Sequence, residues 1–241
     1  MDVYIKFIEN IIDKIPQMSI SSNIVSVYLG GSVARGDYVV GISDIDIYIV
    51  IKQKDEATEE QLNINIQEIA NKQLSELLSW CPDSATVAFT TVESIKNGTS
   101  WLGTSSDYYS FIENGKLIYG DDIKQYLVEP SKDFIMATSQ QFLTQLKGIV
   151  NGELPQNIVD KYFVRSIFGT FYSAIHFKLC TEGIYIRGKG SLTEMFCKNH
   201  RNYSLQAKKI YDLWYVFAKR SLTTIEINNL IKLTKEIVIN L

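Results

Sequence analysis

YLGGSVARGDYVVGISDIDIYIVI, residues Tyr28 to Ile51, is the stretch that decides how this chain is read. An apolar run meets a Gly-Gly-Ser turn, an Arg-Gly follows, and after eleven residues beyond Ser32 the segment Asp44-Ile45-Asp46 opens a second apolar run. Alternation along that second run, Asp44 to Ile51, places Asp44, Asp46 and Tyr48 on one strand face and Ile45, Ile47, Ile49 and Ile51 on the other. Two carboxylates therefore point the same way, roughly 6.6 to 7 Å apart at the backbone. Such a pair repels itself unless a cation lies between its members. Hard divalent cations take oxygen ligands and share one or two carboxylates with substrate phosphates. Gly30 and Gly31 allow the backbone to turn tightly against a ligand, and amides around Ser32 can open a short helix facing an anion. Ser32 adds a hydroxyl, and Arg35 a cation one helical turn on. The pattern outlines a magnesium–triphosphate site.

The same residues resemble the active-site signature of the DNA polymerase beta-type nucleotidyltransferase superfamily. The signature covers about a tenth of the chain. Carried over, the resemblance implies phosphate contacts at Gly31 and Ser32 and metal ligation and catalysis at Asp44 and Asp46; Arg35 and Ser43 are expected as further nucleotide contacts. Two other segments, SFIENGKLIYGDDI (Ser110 to Ile123) and TEGIYIRGKGSLTEMF (Thr181 to Phe196), are similar to bacterial aminoglycoside adenylyltransferases, whose catalytic domain is followed by a helical one. The implied reaction moves the nucleoside monophosphate of a triphosphate, ATP foremost, onto a hydroxyl of a small molecule such as an aminoglycoside. Pyrophosphate leaves, and Mg2+ or Mn2+ is the cofactor. In the family a lysine near the second segment binds phosphate. Lys189 is the expected match, with Arg187 nearly as well placed between the glycines. The family also carries a third carboxylate on the next strand, where this sequence has Thr86, and Asp83 and Glu93 flank that strand as substitutes. A nucleotide-binding regulator with weak or no transfer, and a protein-modifying transferase of the toxin–antitoxin kind, are the competing readings.

Composition narrows the field. The 241 residues suit one large or two small domains, and 46% apolar residues are enough for a packed core. The longest apolar run is strand-sized and broken by Asp46, which argues against a membrane span, and the amino-terminal stretch has no cleavage pattern. The expected location is the cytoplasm. Cys81, Cys180 and Cys197 with His176 and His200 form no metal-ligand spacing. His176 lies in an apolar helical run and reads as a core residue, and His200 as a helix-end one. Net charge is −3 overall, but residues 1–122 carry −10 and residues 178–220 carry +6. An acidic half and a basic half suit a metal-bound polyphosphate. A pI near 5.5 and the absence of a reader motif argue against nucleic acid as partner. The tract Asp107-Tyr108-Tyr109 has the acidic and aromatic composition that a polycationic acceptor needs.

Periodicity predicts a helix over residues 1–16, strands at Ile24–Leu29, Asp44–Ile51 and Ala85–Thr91, and a helix over Glu56–Trp80. After about residue 125 the strand signals stop. Helices are expected at Ser131–Val150, Asn157–Thr181, Ser191–His200, Leu205–Arg220 and Thr224–Asn240. The expected fold is α+β: a small mixed β-sheet nucleotidyltransferase domain over residues 1–129, followed by an all-α helical-bundle domain over 130–241.

Overall fold

A computed structural model describes residues 2–78, 85–100, 102, 107–151 and 160–241. The chain divides into two compact units, Met1–Pro130 and Ser131–Leu241. The fold is α+β, with the sheet in the first unit and helices in the second.

In the first unit the chain runs α1 (Val3–Lys14), β1 (Ile24–Leu29), α2 (Gly31–Arg35), β2 (Ile45–Ile51), α3 (Glu56–Leu78), β3 (Ala85–Thr91), α4 (Val92–Lys96), α5 (Asp107–Asn114) and β4 (Lys116–Gly120). The strands lie in the order β3-β2-β1-β4. β2 is antiparallel to β1 and parallel to β3, and β4 is antiparallel to β1. The sheet is therefore mixed.

The isoleucine alternation fixes which way β2 faces. Ile45, Ile47, Ile49 and Ile51 are fully buried against α1 and α3 with Val27, Leu29, Phe7, Ile11, Leu62 and Ile66. Burying each such side chain stabilises by about 1.5 to 3 kcal/mol, and a slip of one residue would send all four into the other face. That energy holds Asp46 and Tyr48 on the opposite side. There Tyr28, Val50, Ile95, Leu102, Phe111 and Ile123 make a second, smaller core, with Tyr48 and Tyr108 packed against it.

β4 is a strand that periodicity did not predict. It is five residues long and half exposed, at the sheet edge, and its partners on β1 lie about ninety residues earlier in the chain. The predicted start of β2 at Asp44 moves to Ile45, leaving Asp44 at the mouth of the strand.

The second unit holds α6 (Lys132–Asn151), α7 (Lys161–Thr181), α8 (Lys189–Asn199), α9 (Ser204–Phe217) and α10 (Thr224–Val238). α10 opens on a capping box in which Thr223 and Glu226 satisfy each other's backbone amides. His176 is fully buried, its Nδ1 3.0 Å from the Ile186 carbonyl, as a core residue should be. His200 caps the end of α8 and pairs with Glu182 at 3.1 Å. Cys81 lies outside the described residues. No helix among the described residues is long and apolar enough to cross a membrane.

Candidate active site

The turn after β1 is built by two steric demands. Gly31 has φ +58°, in the left-handed region that disfavours side chains, and a Cβ there would land on the Asp46 carboxylate. Gly30 has ordinary extended backbone, but a Cβ on it would fall within the Tyr48 ring. The Gly30 amide donates to the Asp46 carbonyl at 2.9 Å, tying the turn to β2. Gly31 then opens α2, with Ser32 buried as its second residue. The carboxylate of Asp46 and the first amides of α2 are thus neighbours, held by both backbone bonding and lack of room.

The loop from α2 to β2 is pinned by α1. Tyr38 stacks on Tyr4 with ring centroids 5.3 Å apart and donates to the Asp2 carboxylate at 2.6 Å. The buried Tyr4 hydroxyl donates to the Ser43 carbonyl at 2.6 Å and accepts from the Gly41 amide at 3.1 Å. Ser43 itself is buried, and its hydroxyl accepts from the Val39 amide at 2.9 Å. The structure therefore places Ser43 as a fastener of the loop that delivers Asp44. Arg35, in the last turn of α2, is ion-paired through Nε to Asp37 at 3.1 Å. Its guanidinium is held along the loop.

Asp44 and Asp46 are both half-buried. Among the described residues no group of three or more His, Cys, Asp or Glu side chains is arranged to hold a metal. The parallel register pairs Asp46 with Thr86, Tyr48 with Ala88 and Val50 with Thr90. Thr86 is thus the neighbour of Asp46 on the same sheet face, and it is exposed. Glu93 lies on α4, beyond the far end of β3, about 20 Å of strand from Thr86. Asp83 lies outside the described residues.

The aromatic tract at Asp107 opens α5. Tyr108 and Tyr109 meet edge-on at 5.2 Å, and Tyr109 donates to Glu129 at 2.7 Å. Burial, with Glu129 adding to it, raises the Tyr108 phenol above its ordinary pKa.

In the second unit, α8 begins at Lys189 rather than at the predicted Ser191, so Lys189 is the first helical residue and not a loop residue. Gly188 precedes it as a cap that supplies no side-chain hydrogen bond. The Lys189 ammonium sits 4.2 Å from the Trp214 ring centroid and 5.6 Å from that of Tyr172. A cation at a helix N-terminus is disfavoured by the helix dipole, and the two aromatic faces offset that cost by on the order of 1 to 2 kcal/mol. These rings, which sequence reading did not single out, come from α7 and α9.

Residues 8–115 match the family model of the nucleotidyltransferase domain, from within α1 to the end of α5. No curated protein sequence matches the chain. Among solved structures, the chain resembles a spectinomycin adenyltransferase, AAD(9) from Enterococcus faecialis, determined with ATP and spectinomycin. The identity is 15% and the TM-score 0.57, over 96% of this chain and 98% of that one. The likeness is one of fold.

Proposed function

We propose, on the premise that residues 8–115 form a polymerase beta-type nucleotidyltransferase domain in a transferase enzyme, that this protein is a divalent-metal-dependent adenylyltransferase acting on a small hydroxylated molecule. The observation that carries the reading is the packing of the Asp46 carboxylate against Gly31 at the opening of α2. One short segment there offers acidic oxygens, close-approach backbone and amide donors together.

The donor set fits a hard cation. Asp44 and Asp46 supply carboxylate oxygens, and two protein carboxylates are what Mg2+ usually takes when substrate phosphates and water complete its shell. When bound, the ion would neutralise charge on the triphosphate and polarise the α-phosphate. The chain's own residues do the rest. Gly31 and Ser32 bring amides and a hydroxyl toward phosphate oxygens. Lys189, the first residue of α8, would supply an ammonium for a phosphate contact. The acceptor hydroxyl attacks the α-phosphorus in line, a new P–O bond forms, the bond to the β-phosphate oxygen breaks, and pyrophosphate leaves. Arg35, paired with Asp37, would hold the turn or reach a phosphate by exchanging that partner.

ATP as donor and an antibiotic-like acceptor are supported by the likeness to AAD(9), whose structure holds both ATP and spectinomycin. The second reading, a nucleotide binder with weak transfer, is favoured by Thr86 beside Asp46. Incubating the protein with each α-labelled nucleoside triphosphate, Mg2+, a panel of hydroxylated antibiotics and a cell lysate separates them. Label on a small molecule supports the proposal. Label on protein would replace it with the protein-modifying reading, and no label with the binder.

Lys189→Ala should weaken Mg-ATP binding by about 1.5 to 3 kcal/mol, the range for a lost charge-assisted contact, with little change in acceptor KM. Arg187→Ala is the comparison. A larger loss at Arg187 in the same titration would reverse the assignment.

A further inference from the structure

The glycine turn is not held by its own hydrogen bonds alone. We infer that Tyr48 is the positioning residue that sets the phosphate turn against the Asp46 carboxylate, a role that rests on the nucleotide site proposed above. Tyr48 stands two residues after Asp46 on the same face of β2. Its ring fills the space in which a Gly30 side chain would lie, so the turn closes directly onto the ring.

The ring is in turn fixed from behind. Phe111 of α5 packs on Tyr48 with centroids 5.8 Å apart and on Tyr28 edge-on at 5.0 Å. Tyr28 lies directly across from Tyr48 in the β1–β2 register. It is fully buried, and its hydroxyl donates to the Asp122 carboxylate at 2.8 Å and accepts from the Ile123 amide at 2.6 Å. The contacts run from the loop after β4 through Tyr28, Phe111 and Tyr48 to Gly30. Gly31, next in the chain, packs against the Asp46 carboxylate. Turn and carboxylate are therefore set by one wall of aromatic rings on the sheet face.

Close packing makes this arrangement sensitive to volume rather than to polarity. Removing the ring opens a space beside Gly30 and lets the turn and the Asp46 side chain drift, and displacements near 1 Å commonly cost about 100-fold in a positioned site. Adding a methyl group at Gly30 drives it into the ring from the other side. The extended backbone of Gly30 tolerates alanine, and the atoms nearest to an added Cβ are all those of the Tyr48 ring and its hydroxyl. The two changes should therefore be coupled: alanine at Gly30 is harmful with Tyr48 present and tolerated without it.

The test is a cycle of Tyr48→Phe, Tyr48→Ala, Gly30→Ala and the Gly30→Ala/Tyr48→Ala pair, read by the melting temperature of the ligand-free protein and by Mg-ATP titration. Transfer kinetics with the acceptor complete the set. Tyr48→Phe should bind Mg-ATP within about twofold of the wild type, because the ring remains. Tyr48→Ala should bind at least about tenfold more weakly while acceptor KM stays within about twofold. Gly30→Ala alone should lower the melting temperature, and on the Tyr48→Ala background it should lower it no further. Wild-type Mg-ATP affinity in Tyr48→Ala, or a Gly30→Ala melting loss that simply adds to that of Tyr48→Ala, overturns the inference. A wild-type protein that binds no nucleotide overturns the proposed function instead, and the melting cycle still decides whether the ring sets the turn.

Discussion

Replacing Asp44 and Asp46 together by asparagine is expected to lower nucleotidyl transfer by at least about three orders of magnitude, the scale of losing a principal electrostatic group from an active site. The fold should survive. Asp46 is held on its face by the four buried isoleucines of β2, none of which the substitution touches. Asparagine keeps the shape that Gly31 packs against, so the turn should persist as well. What disappears is the pair of negative charges. The double variant should therefore still melt cooperatively as a folded protein. Label transfer measured beside a melting curve checks both halves. Wild-type turnover in the variant would mean that the reaction is carried out elsewhere on the chain.

The second large effect is a gain. A hydroxyl attacking phosphorus is helped by a positioned base, commonly worth about two to four orders of magnitude. The β2–β3 register puts Thr86 beside Asp46 on the same face, and a threonine hydroxyl is not a base. Thr86 is exposed, so a longer side chain fits there without displacing core. Thr86→Glu is therefore expected to raise turnover with a hydroxyl acceptor by about 100-fold, with Thr86→Val as a control that should change little. Asp83→Asn belongs in the same assay. A fall of about two to three orders of magnitude there would identify Asp83 as the working base, and Thr86→Glu should then add little. Glu93→Gln should be near neutral, because α4 begins beyond the far end of β3. If neither Thr86→Glu nor Asp83→Asn moves the rate, proton removal from the acceptor does not limit this reaction.

Much of the site was legible before any fold was built. The Ile-x-Ile-x-Ile alternation from Ile45 to Ile51 states its own period, and a period of two leaves only one face for Asp46 and Tyr48. The Gly30-Gly31-Ser32 turn announced itself by residue type. The glycines around Lys189 mark a break between helices, but the sequence pattern sets the start of α8 two residues too late. The loop roles of Ser43 and of Asp37 as partner to Arg35 were not legible, since Val39, Tyr4 and Asp37 carry no mark in the sequence that assigns them to those bonds. β4 escaped for a related reason. Its five residues show no clean alternation, and it becomes a strand through pairing with β1.

The sequence by itself determined most of the elements, the face of β2 on which Asp46 stands, and the tight turn at Gly30 and Gly31, because each follows from local steric freedom and from a repeat of two or of 3.6 residues. Only the tertiary structure decided who meets whom: Thr86 beside Asp46, Tyr48 in the space of a Gly30 side chain, Lys189 over Trp214. Those meetings join residues between 18 and 40 positions apart. They are set by strand register, loop closure and the filling of a common core, which no local pattern encodes.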